Sequence, residues 1–363
     1  MANDESLEPD LARLRAQIDV IDRQVLELLN RRAQIAQQVG ESKRKNGVPV
    51  FRPERETQVL SGLARDNGGP LSQESVTAIY REIMSACRAL ERNTRVAFLG
   101  PLGTFSEQAA TRQFGTSVEL VPCVSFDEVF RKTETGDVDF GVVPVENSTE
   151  GAVSRTLDLL LQTPLSIAAE IALKIEHHLL TRSGSMAGVQ RICAHSQAIA
   201  QSARWLDRNF PTLERVAVAS NAEAARLAAT DDTVAAIAGE IAARRYNLVA
   251  VASQIQDESQ NTTRFVVLGQ TDSPASGTDR TSIILSVPNQ AGAVYDMLAP
   301  FKKHGVSMTR FESRPARAGV WTYYFYIDIE GHRADAQVGS ALAELAMVAG
   351  FCKILGSYPV GRF

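Results

Sequence analysis

The chain has 363 residues, 44% hydrophobic and 22% charged, with a formal net charge of −4. That length suits two or three domains rather than one core, and the charge balance leaves no basic footprint for nucleic acid. No apolar run reaches membrane-spanning length, and the polar, acidic start Met1–Ser6 is unlike a secretory leader.

Residues 7 to 92 carry only helical periodicity. Leu11, Ile18, Val25 and Val39 recur at seven-residue spacing, and Arg32 fills the missing place in that stripe. Arg15 and Lys43, also multiples of seven apart, line one edge of it. A guanidinium on a buried face costs several kcal/mol unless an anion meets it. Three cations in register therefore point to a pocket for a small anionic ligand. The plainer alternative is edge charges reaching water, or paired with Asp22 and Glu27. Pro53 starts a second helix that places Arg55 on its apolar face with Glu56 beside it, and Gly68-Gly69-Pro70 ends it. A third helix aligns Val76, Ile79, Ile83, Cys87 and Leu90, with Glu91 on the buried face. Three helices this long cannot bury the stripe alone, so a homodimer is expected.

From Arg95 the texture changes to strand–turn–helix alternation. Val96–Gly100, Phe140–Val145, Arg191–Ala194 and Asn261–Leu268 read as buried strands. The spacing predicts turns or helix starts at Ser106, Glu146-Asn147-Ser148 and His195-Ser196-Gln197. Ser125-Phe-Asp-Glu128 and Ser220-Asn-Ala-Glu223 each precede a further apolar strand by the same interval, which predicts two related α/β lobes with a cleft between them. Thr271–Asp279 has linker composition. Beyond it, the strand and helix patterns (281–287, 292–304, 306–312, 321–329, 334–349 and a last strand) give the βαββαβ order of a ferredoxin-like α+β domain.

The middle region offers polar groups at its strand ends: Asn147, Ser148, Thr149, His195, Ser196, Gln201, Thr262 and Thr263. It has no Walker loop and no metal-ligand cluster. Ser and Asn at helix starts suit carboxylates or phosphates, although most such residues only cap their own helix. The four cysteines, Cys87, Cys123, Cys193 and Cys352, are far apart without a CxxC pair. They read as free thiols in a cytoplasmic protein, with neither a metal nor another cofactor expected.

Residues 95–271 resemble prephenate dehydratases through Gly100-Pro-Leu-Gly-Thr-Phe-Ser106, Val143-Pro-Val-Glu-Asn147 and Asn261-Thr-Thr-Arg-Phe265. Residues 281–363 resemble ACT regulatory domains through Gly292-Ala-Val-Tyr295 and Glu312-Ser-Arg-Pro315, and residues 7–92 look like the all-helical chorismate mutases. Together the chain resembles the bifunctional enzymes that fuse the three. The resemblance implies domains at 1–93, 94–271 and 281–363, with 272–280 as linker. The implied activity is rearrangement of chorismate to prephenate, then its decarboxylation and dehydration to phenylpyruvate, with phenylalanine as feedback inhibitor.

The same resemblance implies residue roles. Arg15 from a second subunit, Arg32, Lys43 and Arg55 would clamp chorismate, and Glu56 would hold its hydroxyl. Arg52 and Cys87 would stand close by. Clamping suits a unimolecular rearrangement, which needs no nucleophile. Glu91 stands where many relatives carry Gln as donor to the ether oxygen. A carboxylate cannot donate, so mutase turnover is expected to improve below neutral pH. In the dehydratase, Thr263 would donate to the leaving hydroxyl, and Asn147 and Gln201 would position it. Glu146, Ser148, His195, Ser196, Thr262, Arg264 and Phe265 would complete substrate binding. Gly292, Ala293, Val294, Tyr295, Glu312, Ser313, Arg314 and Pro315 would form the phenylalanine site. The competing readings are a dehydratase with a decayed mutase, an amino-acid sensor without catalysis, and a dehydratase acting on arogenate.

Overall fold

A computed structural model of the protein describes residues 7–45, 51–287, 290–315 and 323–361. Helix α1 (Leu7–Lys45) is followed by α2 (Pro53–Asp66) and α3 (Gln73–Glu91). Proline at the first turn and Glu54 and Glu56 beside it favour the start of α2. Ser72 caps α3 by accepting the Ser75 amide at 3.1 Å. The heptad stripe of α1 is not buried within one chain: Leu11, Ile18, Val25 and Val39 are all exposed, as are Leu14, Ile21, Leu26 and Leu28. The periodicity therefore marks a face that this chain alone leaves open.

The middle region begins with β1 (Arg95–Leu99), α4 (Phe105–Phe114), β2 (Glu119–Cys123), α5 (Phe126–Glu134), β3 (Phe140–Asn147), β4 (Gly151–Ala152), α6 (Ser154–Gln162) and β5 (Ser166–Lys174). A second lobe follows: β6 (His178–Thr181), β7 (Arg191–Ala194), α7 (Ser196–Gln201), α8 (Ala203–Asn209), β8 (Glu214–Ala217), α9 (Asn221–Thr230), β9 (Val234–Ala238), α10 (Glu240–Tyr246) and β10 (Val249–Ala252). The chain then returns through β11 (Thr262–Gly269) to the first sheet, so two crossings join the lobes. Lobe one has the order β2-β1-β3-β11-β5 with β4 on β3, and lobe two β10-β6-β9-β7-β8.

The weak internal similarity is a shared β-α-β unit with a serine cap. Ser125 accepts from Glu128 and Ser220 from Glu223, at 3.2 and 3.0 Å. One expectation is corrected: Glu146 and Asn147 are the last two residues of β3, not a turn leading into a helix, and they pair with Arg264 and Thr263 of β11.

The last region is β12 (Asp279–Ser286), α11 (Ala293–His304), β13 (Met308–Pro315), β14 (Tyr323–Glu330), α12 (Ala336–Val348) and β15 (Phe351–Pro359). Its antiparallel order, β13-β14-β12-β15, is the ferredoxin-like plan expected; Trp321 and Thr322 of the expected third strand lie outside the described residues.

The three regions are joined by packing as well as sequence. Phe51 leaves the helical region and stacks with Phe114 and Phe140 of lobe one, at ring separations of 4.7 and 5.1 Å. Tyr326, Leu355 and Tyr358 share one core with Val143, Val145 and Leu157. At Gly356, with φ 150°, a Cβ would sit 2.4 Å from the Ile167 carbonyl oxygen, so only glycine lets β15 lie against β5.

Candidate active sites

Between α1 and α3 the structure gathers Arg32, Lys43, Cys87 and Glu91. An Arg32 guanidinium N–H donates to Cys87 Sγ at 3.0 Å, and Lys43 Nζ lies 3.7 Å from Glu91 Oε2. A Cβ on Gly40 would meet Glu91 Cγ at 2.7 Å, so glycine there lets α3 bring this carboxyl against α1. Glu91 Oε2 is buried and accepts no hydrogen bond.

The other residues of the implied clamp lie elsewhere. Arg15 and Arg55 are exposed, and Arg52 is paired with Glu54 at 2.5 Å. Glu56 is ion-paired with Arg88, which donates to the Phe114 carbonyl of lobe one at 2.5 Å and stands over Phe51. Burial lowers the Arg88 pKa to about 10, leaving it a cation at neutral pH.

The larger site is the cleft between the lobes, about 980 Å³ in volume. Thr104, His195 and Ser220, the residues that cap α4, α7 and α9, line it together with Gly239 before α10. No Asp, Glu, Lys or Arg lines it among the described residues. An anionic group there would meet helix N-termini and backbone N–H groups rather than fixed cations.

Thr263 and Asn147 lie on the cleft floor, each only 9% exposed. Asn147 Oδ1 accepts the Thr149 and Glu150 amides at 3.0 and 3.1 Å. That fixes the amide orientation, so Nδ2 donates to Thr263 Oγ1 at 2.8 Å and to Asn261 Oδ1 at 2.9 Å. Thr263 therefore receives a hydrogen bond and keeps its own proton to give.

Gln201 Oε1 accepts from Asn261 at 3.1 Å and lies 3.1 Å from His177 Nε2; its amide nitrogen donates to Thr149 Oγ1 at 3.1 Å. A carbonyl oxygen facing His177 puts the imidazole proton on Nε2. Burial pushes the His177 pKa below its ordinary value, partly offset by the Gln201 bond, so the ring is neutral at pH 7.

His177 and Asn261 were not singled out as site residues by the sequence. His177 lies at the first crossing between lobes, and Asn261 directly precedes the Thr262-Thr263-Arg264-Phe265 run. Polar residues flanking buried strands at lobe crossings are the signal available. His195 lines the cleft, whereas Ser196 is exposed. Ser148 and Thr262 bond each other at the end of β3 and β11. Three residues expected to touch substrate have side chains placed elsewhere: Phe265 is packed in the lobe-one core, and Arg264 and Glu146 project from the opposite side of the sheet.

In the last region Gly292 adopts φ 85° and opens α11, with Val294 and Tyr295 exposed. Glu312 to Pro315 end β13. Phe325 of β14 pairs with both Leu285 and Ser313, so one strand separates this segment from β12, which precedes Gly292, within a single chain. Arg314 reaches Asp158 of α6 at 3.1 Å.

These features coincide with three family profiles in the same order: chorismate mutase type II over residues 14–92, prephenate dehydratase over 96–273 and ACT domain over 281–346. A bifunctional chorismate mutase/prephenate dehydratase of Neisseria gonorrhoeae is 51% identical over 348 residues, covering 95% of this chain and 96% of the relative. The chain belongs to the bifunctional chorismate mutase/prephenate dehydratase family. Among solved structures, a prephenate dehydratase from Arthrobacter aurescens in complex with L-Phe matches at 32% identity and TM-score 0.68, over 73% of this chain and 90% of that one. GqqA, described as a novel type of quorum-quenching acylase, matches at 30% identity and TM-score 0.67, over 74% and 98%. Family membership fits the division of the molecule into a helical pocket, an uncharged cleft and a ferredoxin-like region.

Proposed function

We propose that the protein converts chorismate to prephenate between α1 and α3, and prephenate to phenylpyruvate in the interlobe cleft, under inhibition by phenylalanine. The observation that carries the dehydratase assignment is the Asn147–Thr263 bond. Loss of the prephenate ring carboxylate as CO2 sends its electron pair through the ring to expel the hydroxyl. Aromatisation drives this step, and the leaving oxygen needs one proton to depart as water. Thr263, its oxygen already engaged by the Asn147 amide, passes its proton to the leaving oxygen and takes one back from a solvent water; Asn261, itself bonded to Gln201, holds the amide in place. The lining carries no carboxylate, among the described residues, to meet an ammonium group; this favours prephenate over arogenate. An acyl hydrolysis like that named for GqqA would need a hydroxyl or thiol activated by a base. Here Thr263 bonds an amide and His177 bonds Gln201.

For the mutase, Arg32 and Lys43 hold the substrate carboxylates and ether oxygen, and Glu91, beside Lys43, is the second group at the ether oxygen. Arg15 enters from a second copy whose α1 covers the exposed apolar face, which makes the working unit a homodimer. Arg55 and Glu56 join the clamp when α2 turns toward α1. Phenylalanine binds between paired ACT regions, at Gly292–Tyr295 of one and Glu312–Pro315 of the other. The described cysteines form no disulfide, in keeping with a cytoplasmic enzyme.

Thr263→Ala is expected to lower dehydratase kcat by about 10²–10³-fold with mutase turnover unchanged. An unaltered dehydratase rate contradicts the assignment. Glu91→Gln, which puts an amide donor at the same place, is expected to raise mutase kcat by about tenfold in a chorismate assay; an unchanged rate removes Glu91 from the ether-oxygen site.

A further inference from the structure

Strand alternation gives the cleft floor a second side. Thr263 and Asn147 pair across β11 and β3 and face the cleft; Arg264 and Glu146, one residue away on the same strands, pair and face the ACT region. Arg264 is half-buried in a charge cluster built from both regions. It donates to Glu170 of β5 at 3.0 Å, to Asp328 of β14 at 2.5 Å and to the Tyr358 hydroxyl of β15 at 2.9 Å. Burial alone would weaken its charge, but Tyr358, Asp328 and Glu170 outweigh that and hold it firmly protonated.

Glu146 receives a cation from the ACT region: Arg310 Nε of β13 lies 3.0 Å from its carboxylate. The contact is a charge pairing without hydrogen-bond alignment, since Arg310 Nε and Nη2 are buried and bond nothing. A buried guanidinium left in this state gains bonds if β13 shifts slightly, so the pairing responds to the position of that strand. Residues 310, 312 and 314 share one side of β13, and Arg314 also grips the dehydratase through Asp158.

We infer that Arg310, Glu146 and Arg264 form a positioning relay, through which the ACT strand β13 sets the Asn147–Thr263 pair on the opposite side of a single sheet. The regulatory half of this inference rests on the phenylalanine reading above. Because β13 ends in Glu312–Pro315, a ligand that moves it moves Arg310 and so Glu146, whose backbone carries Asn147. Arg264 and Glu146 then act on the reaction through their neighbours, without touching substrate.

The test uses the full chain as Arg310→Gln and Arg310→Lys, with prephenate and chorismate kinetics, phenylalanine inhibition curves, and phenylalanine binding by equilibrium dialysis. Arg310→Gln should lower dehydratase kcat about fivefold with KM and mutase turnover unchanged within about twofold. It should also shift the inhibition curve at least about tenfold while the dialysis affinity moves by less than about threefold; Arg310→Lys should recover most of both effects. Wild-type kcat and a wild-type inhibition curve in Arg310→Gln overturn the relay, as does a parallel loss of binding, inhibition and mutase turnover. If the unmodified protein does not bind phenylalanine, the regulatory reading fails separately, and the kcat and KM of the two variants still decide the positioning role.

Discussion

Asn147 shows how a single amide fixes the direction in which a neighbouring hydroxyl can donate. Its amide oxygen is tied to two backbone N–H groups, so its nitrogen is committed to Thr263 and Asn261. Asn147→Asp replaces a donor with an acceptor at the same place and should lower dehydratase kcat by at least about 10²-fold in a prephenate assay, with the mutase unaffected. His177 carries a different consequence. Its native pKa lies below the ordinary value of 6.5, so below that pH the unfolded chain takes up a proton that the folded one refuses. The contribution of the neutral ring is complete above pH 6.5 and is lost as pH falls beneath it. The thermal midpoint should drop between about pH 7.5 and pH 5.5, and His177→Asn should drop less over the same interval. Equal drops in the two proteins would remove this residue from the account.

At the scale of elements, periodicity located all three N-terminal helices and the βαββαβ order, because each pattern is local. It put Arg15, Arg32 and Lys43 along the first helix and Cys87 and Glu91 on one face of the third; Arg32, Lys43, Cys87 and Glu91 meet because α1 and α3 pack side by side, whereas Arg15 is exposed. What it could not supply was register. The sequence placed Glu146 and Arg264 in the substrate site because they flank Asn147 and Thr263, but strands alternate, and only the β3–β11 pairing shows that neighbours face opposite ways. Glu56 stands apart from that group for a related reason: it is ion-paired with Arg88, which donates to the Phe114 carbonyl, a contact no local pattern encodes. The α1 stripe makes its own prediction. Ile18→Asp with Ile21→Asp puts two charges on the exposed apolar face, where a second copy should bury them. Light scattering should show loss of that pairing, with mutase turnover falling while the dehydratase persists. A mutase that keeps full turnover in a variant unable to pair at α1 would exclude Arg15 as a residue shared between copies.

At the scale of the whole molecule, the three regions are welded rather than strung together. Phe51 of the helical region is 4% exposed in an aromatic cluster with Phe114 and Phe140, and Tyr326 donates to the Leu157 carbonyl at 2.9 Å across the opposite boundary. Phe51→Ala opens a cavity at the first boundary and should cost about 3–5 kcal/mol in denaturant unfolding, read from both the helical and the α/β signals. A loss confined to the helical signal would mean that the regions unfold independently. This packing lets one ACT region stand behind the dehydratase sheet while the mutase docks on its other flank.

The central claim, two successive reactions in one chain under amino-acid control, is tested most directly by supplying the purified protein with chorismate alone. Prephenate and phenylpyruvate would be followed with and without phenylalanine. Phenylpyruvate should accumulate with no second enzyme added, and phenylalanine should suppress it. Conversion of supplied prephenate but not of chorismate would contradict the mutase assignment, and conversion of neither would contradict both.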